Sequence, residues 1–276
     1  MIAETKYGTI SANFRKYYAV VRINTQNSLA YTWDAVSQGI LIAIFILIFA
    51  RLWKVTFAAQ GAEIIGDLTL RQTIWYFVWA EAIQLSKMNA SFKMQEEVQD
   101  GSLAYTLGRP YNYLLYHFFS GVGEVFVRMA STLAFGMVIA WIEAGTPSFI
   151  RWETLPLLLM VTVLALVVDF CMSAMIGLTA FFFEDTMAFR LIYQKLLLVL
   201  GGVLLPLDFL PDSVQTVARL LPFNAVIYAP ARLFVAWDTS QFLEILAVQG
   251  FWIAALGFLL ALFFRFGTQR VSINGG

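Results

Sequence analysis

From Ile245 to Phe264 the sequence carries no charged side chain. A helix crossing the hydrocarbon of a bilayer needs about 20 mostly apolar residues, so this stretch alone constrains the chain to a membrane environment. Five more stretches meet the same test: Leu29–Ala50, Leu70–Met88, Tyr111–Trp141, Leu155–Phe182 and Met187–Leu207. Some hold isolated charges: Asp34 in the first, Glu81 in the second, Glu124 and Arg128 in the third, Asp169 in the fourth, Arg190 and Lys195 in the fifth. Lipid offers no hydrogen-bonding partner to open backbone, so long apolar runs of this kind cross as helices. The expected fold is therefore all-α and polytopic, with six transmembrane helices.

Composition supports that reading. Hydrophobic residues make up 60% of the 276 and charged residues 13%, against about 25% charged in soluble domains. The excess apolar surface needs lipid to face. The 25 Phe and 8 Trp suit a bilayer with aromatic side chains at its interfaces. A net charge of zero leaves no basic footprint for nucleic acid. The single cysteine, Cys171, has no partner for an internal disulfide and no metal-ligand neighbour, and reads as a small packed side chain. The first apolar run is followed by Arg51 and Lys54 rather than by a small-residue cleavage site, which argues against a removed signal peptide.

Loops with more Lys and Arg lie inside. With the N-terminus in the cytoplasm, the loops collecting Lys87, Lys93 and Arg109 fall on that side, and both termini are expected there. Ahead of the first span, Ile10, Phe14, Tyr17, Tyr18 and Val21 share one helical stripe, with Asn13, Arg15, Lys16 and Arg22 mostly elsewhere. Residues 1–27 thus read as an amphipathic helix lying in the inner headgroup layer. Ser213–Trp237 is apolar but holds Pro222, Pro230, Arg219 and Arg232. Prolines and arginines disfavour a clean span, and one or two short helices dipping in from the outside are expected there. No linker or repeat divides the chain, so 1–276 is read as one domain, with a cytoplasmic loop at 91–110 and an external re-entrant segment at 208–240.

No phosphate-binding G-x-x-x-x-G-K-[ST] loop occurs, nor H-E-x-x-H, nor G-x-S-x-G. The lone histidine, His117, sits among aromatic residues and reads as a packing side chain. If ATP drives this protein, another polypeptide binds it.

Two segments carry a more specific signal. After the second span comes Glu97-Val-Gln-Asp-Gly-Ser-Leu-Ala-Tyr-Thr-Leu-Gly-Arg-Pro110. Phe92, Met94, Val98 and Leu103 are expected to anchor a short helix there, with Glu96, Glu97 and Asp100 left wet, Gly101 permitting a turn, and Pro110 marking entry to the third span. After the fifth span come Gly202-Val-Leu-Leu-Pro-Leu-Asp-Phe-Leu-Pro211 and Leu221-Pro-Phe223. In this order the motifs resemble the permease subunits of the type-2 ABC exporter family, in the compact six-span branch without a fused ATPase. The N-terminal aromatic-basic segment resembles that family's elbow helix.

The resemblance implies an assembly of two permease chains, identical or related, with two ATP-binding subunits. ATP and Mg would sit on those partners and no cofactor on this chain. The stretch holding Glu96, Glu97, Asp100, Gly101, Arg109 and Pro110 would couple to the ATPase. Export of a drug, antibiotic, lipid or glycan across a bacterial inner membrane is implied likewise.

Charges inside the bilayer cost about 2.5 to 3.5 kcal/mol each on insertion scales. Glu124 and Arg128, four apart, share a helix face and are expected to pair. Glu81 and Asp169 have no partner on their own helices. All four are candidates for the substrate pathway, or are neutralised by neighbouring helices. Ion-coupled secondary transport, an intramembrane enzyme using a Glu or His117, and a non-transporting scaffold are the alternatives.

Overall fold

A computed structural model describes residues 2–183 and 185–274, with side chains described for 15–31, 33, 36–183 and 185–269. The stripe residues Ile10 and Phe14, the off-stripe Asn13, and Asp34 thus lie outside the described side chains.

The chain is helical almost throughout. In order it forms α1 (Ile2–Ala30), α2 (Thr32–Gln60), a two-stranded antiparallel hairpin of β1 (Ile64–Ile65) and β2 (Leu68–Thr69), α3 (Leu70–Ser86), α4 (Ala90–Gln99), α5 (Leu103–Leu107) and α6 (Tyr113–Ala144). There follow α7 (Leu155–Leu178), α8 (Met187–Leu200), α9 (Asp212–Leu220), α10 (Pro222–Val226), α11 (Tyr228–Val235) and α12 (Thr239–Asn274).

Among the described residues, four helical stretches are long and apolar enough to cross a membrane: Val36–Gln60, Tyr113–Ala144, Trp152–Phe181 and Thr239–Gln269. The second and fifth expected spans are shorter helices, α3 with 17 residues and α8 with 14. At 1.5 Å per residue these reach about 26 Å and about 21 Å.

Helix α3 lies at the centre. Nearly every side chain from Thr73 to Ile83 is buried, against α2, α6 and α11. Its start is set by a capping box: Thr69 and Gln72 bond each other's backbone N–H. Gln72 also donates to the Val235 carbonyl at 3.1 Å, tying α3 to the end of α11. Helix α12 packs along α7, where the buried Gln249 amide donates to the carbonyls of Val161 and Ala225.

Helix α1 packs on α6 through Tyr17, Val21 and Asn24. Tyr17 stacks on Phe119 at 4.8 Å, and Ser120 Oγ donates to Asn24 Oδ1 at 3.1 Å. At Gly123 the two helices come so close that a Cβ would stand 2.6 Å from the Val21 carbonyl oxygen. Tyr18, placed on the same stripe by sequence, is exposed instead.

Two boundaries differ from the sequence reading. The chain breaks at Tyr31, so Leu29 and Ala30 belong to the end of α1 and the first long apolar helix continues to Gln60. Arg51 and Lys54, expected beyond that span, lie inside its helix. Glu143 of α6 neutralises both, at 2.9 Å and 2.7 Å. The 208–240 segment holds three short helices rather than one or two, because Leu221 and Ile227 each leave helical geometry.

Candidate functional site

Helix α4 makes polar contacts with several other elements. Its sequence is amphipathic at helical spacing. Ala90, Ser91, Met94 and Gln95 are buried, while Phe92, Glu96 and Asp100 face out. Met94 is fully buried against α7, and Ser173 Oγ of α7 accepts from the Ser91 N–H at 3.2 Å.

Three further side chains of this helix, Lys93, Gln95 and Glu97, make polar links. Lys93 donates to Glu124 Oε1 on α6, whose Oε2 accepts from Arg128 Nη2 at 2.7 Å. Arg128 Nη1 returns to the Lys87 carbonyl at 3.3 Å, at the α3–α4 corner. Gln95 donates to Asp185 at 3.2 Å, and its Oε1 accepts from Thr186 at 2.6 Å and from Arg190 at 3.4 Å. Glu97 turns inward, accepting from the Tyr113 hydroxyl at 2.9 Å, with His117 Nε2 at 3.3 Å.

The expected coupling residues therefore divide. Glu96, Asp100, Gly101, Arg109 and Pro110 are exposed. Glu97, expected to stay wet, is drawn in by two α6 side chains. Of the expected anchors, Met94 and Leu103 are buried and Val98 half-buried. Phe92 is 53% exposed, with the Arg190 guanidinium 5.5 Å from its ring. Gly101 takes φ +78° at the turn between α4 and α5. The Asp100 carboxylate is held below its usual range by the Ser102 backbone N–H, 2.8 Å away, and the Ser102 hydroxyl. Arg109 lies 4.2 Å over the Tyr105 ring and donates to Tyr111 at 3.2 Å. Lys16 of α1 donates to the Pro110 carbonyl at 3.1 Å, so α1 braces the same loop.

The four candidate pathway residues are not gathered in one place. Glu124 and Arg128 pair as their spacing predicts, and line a groove of about 510 Å³ with Asn24, Gln38 and Lys93. Asp169, 1% exposed, accepts from the Tyr193 hydroxyl of α8 at 2.6 Å and has Lys87 Nζ at 3.9 Å. These three side chains border a separate cavity of about 150 Å³. Glu81 is buried within α3 and borders neither. Among the described residues no cluster of His, Cys, Asp or Glu could hold a metal ion.

A second polar centre, not foreseen from sequence, lies at the 208–240 segment. Asp208 accepts from the Tyr228 hydroxyl at 2.9 Å and stands 3.2 Å from Arg232 Nε. Both Asp208 and Arg232 are nearly buried and border a cavity of about 240 Å³. Nearby, Gly202 takes φ +77° and its carbonyl accepts from Tyr76 at 2.7 Å. A side chain there would be strained, and its Cβ would meet the Tyr76 hydroxyl at 2.6 Å. The proline-rich break after α8 was legible; the Asp208–Arg232 pair, 24 residues apart, was not.

Long apolar helices around a buried α3 define an all-α, multi-pass membrane protein. The family model described as ABC-2 family transporter protein matches residues 41–275, and the chain belongs to that family. It is thus a membrane component of ABC-type transport, of a family that generally works with ATP-binding subunits. Among curated proteins none matches.

Proposed function

We propose that this chain is the membrane-spanning subunit of an ATP-driven exporter in a bacterial inner membrane. Two separate subunits bind Mg and ATP and hydrolyse the nucleotide, and a second permease chain, identical or related, completes the assembly. Six helices cross the bilayer, α3 and α8 adding to the four long ones, with both termini in the cytoplasm. The cargo is hydrophobic or amphipathic.

The observation that carries this reading is the two-sided character of α4. One face is pinned to α6, α7 and the start of α8 by Met94, Lys93, Gln95 and Glu97. The other presents Glu96 and Asp100, and the exposed Tyr105, Arg109 and Pro110 follow it. A helix fixed on one side and charged on the other transmits a push from a docked partner without absorbing it. In the proposed cycle, ATP binding closes the two ATPase subunits. The exposed face follows, and the links from Lys93 to Glu124 and from Gln95 to Arg190 carry the displacement into α6 and α8. The cavity between the permease chains then opens outward, and hydrolysis resets it.

The test is to co-express the chain with its ATPase. Charge reversal at Glu96 and Asp100 is expected to reduce co-purification by about tenfold, the loss of about 1.4 kcal/mol. Stoichiometric binding that survives both reversals removes the coupling assignment. The buried Lys87–Asp169 pair is what favours the ion-coupled alternative. Transport that persists without ATP but stops with Asp169→Asn selects it.

A further inference from the structure

Helix α8 carries an unpaired charge on an uncovered face. Of its 14 residues only Tyr193 and Leu197 are buried. Lys195 and the adjacent Gln194 are both exposed, among the exposed apolar side chains of Leu191, Ile192, Leu196 and Val199. Lys195 makes no hydrogen bond, ion pair or ring contact with any described residue. It stands about 12 Å past Met187 along a helix that reaches about 21 Å. Tyr193, two positions earlier, donates to Asp169 of α7, which lies about 18 Å from Phe181 at the near end of its own long helical stretch. Both measures place Lys195 well inside the hydrocarbon, where a charge facing lipid is costly. Helix α12 shows what a lipid-facing surface looks like in this chain: it is little buried and free of charge from Ile245 to Phe264.

The chain offers Lys195 no counter-ion. Among the described residues the carboxylates at comparable depth are Glu81 and Asp169, which are buried, and Glu124, which is held by Lys93 and Arg128. A second, identical chain laid against α8 brings the same carboxylates in the same state. What is left to face Lys195 is water and an anion from outside the protein. We infer that Lys195 lines the aqueous pathway and binds the anionic group of the cargo, which is therefore an acidic amphiphile. Its carboxylate, sulfonate or phosphate meets the ammonium and the Gln194 amide, and its apolar body lies along Leu191, Ile192, Leu196 and Val199. A cationic amphiphile is repelled at the same point. Calling the ligand cargo rests on the exporter reading; the wet, anion-binding face of α8 does not.

Accessibility is measured on the full-length chain in lipid nanodiscs without any ATPase, so failure here is separable from failure of the exporter reading. Helices α7 and α12 run parallel, with Val161 beside Gln249 and Phe181 beside Gly267. Phe258, exposed on α12, therefore stands near the depth of Asp169 and serves as the lipid-facing control. A cysteine has no long stem with which to reach the headgroups, as a lysine has. A thiol in lipid stays protonated and unreactive, so a membrane-impermeant maleimide is expected to label Lys195→Cys about tenfold faster than Phe258→Cys. The unmodified chain, whose Cys171 is buried, gives the blank. Equal rates at the two positions overturn the wet face.

Binding is read by fluorescence titration of the same chain in neutral detergent. The two probes share one nitrobenzoxadiazole-labelled alkyl chain, ending in a carboxylate in one and in trimethylammonium in the other. The carboxylate is expected to bind about tenfold more tightly. Lys195→Arg keeps that preference, Lys195→Gln removes it and Lys195→Glu reverses it. All three replace an exposed side chain without contacts, so folding is unaffected. Equal affinity for the two probes, or a Lys195→Gln chain that still prefers the anion, overturns the site. Unlabelled phosphatidylglycerol separates the sources of the anion. It displaces the carboxylate probe where the occupant is a two-tailed membrane lipid and leaves it bound where the occupant is a single-tailed acid; both results uphold an anion at Lys195.

Discussion

The α4 region and the 208–240 segment are both short-helix insertions between long helices, yet they are held in opposite ways. Helix α4 is fastened by separate polar links to α6 and to the start of α8, several of them partly wet. The 208–240 segment is fastened mainly by burial of small and aliphatic side chains: Ala225, Val226, Ile227, Ala231, Leu233 and Val235 are at most 1% exposed. Its charged anchor is the enclosed Asp208–Arg232 pair. Half-wet ion pairs break and re-form at small cost, whereas a packed segment with an enclosed pair moves as a block or not at all. The first arrangement suits an element that is pushed; the second suits one that closes a path.

The largest expected effect tests the packed end. Asp208→Ala leaves the Arg232 guanidinium enclosed and unpaired, and is expected to cost about 3–5 kcal/mol of stability. Thermal unfolding in detergent reads it. A change below about 1 kcal/mol, the range of exposed pairs, would mean that this pair is no more an anchor than those of α4. Next comes Glu124→Ala at the other end. Lys93 and Arg128 lose their shared acceptor but are partly solvated, so a loss of about 1–2 kcal/mol is expected. Protease sensitivity of α4 should rise while the 208–240 segment stays protected. Equal exposure of both would erase the contrast.

The smallest effect concerns pH at the segment's far edge. Asp238 accepts from the Ser240 hydroxyl and N–H and from the Gln241 N–H at the start of α12. The Ser240 hydroxyl above all, then these N–H groups, holds the Asp238 carboxylate below its usual range. The charged form is therefore favoured when folded. Its contribution is present at neutral pH and disappears as pH falls through the lowered value. Hydrogen exchange at Gln241, corrected for intrinsic rates, should quicken on acidification, and Asp238→Asn should flatten that response.

Much of the architecture was legible because lipid imposes it. The charge-free Ile245–Phe264 could only be a long helix, and α12 extends it to either side. Glu124 and Arg128 were legible because four residues bring side chains onto one helix face. Lys93 as the third member was not, since only the fold of α4 against α6 brings it within reach. Glu97 and Phe92 exchanged places relative to expectation. The charge went in because Tyr113 and His117 wait there, and the ring stayed out beside Arg190. Arg51 and Lys54 read as the end of a span because their acceptor, Glu143, is 89 or more residues away.

The sequence by itself determined that the chain lives in lipid and that its secondary structure is helical. Hydropathy and motif spacing are local properties, readable within a window of residues. Tertiary structure alone decided which charges meet: Lys93 with Glu124, Lys87 with Asp169, Asp208 with Arg232, Glu143 with the flank of α2. Pairing in low dielectric depends on distances of a few ångströms between helices far apart in sequence, and only packing sets those.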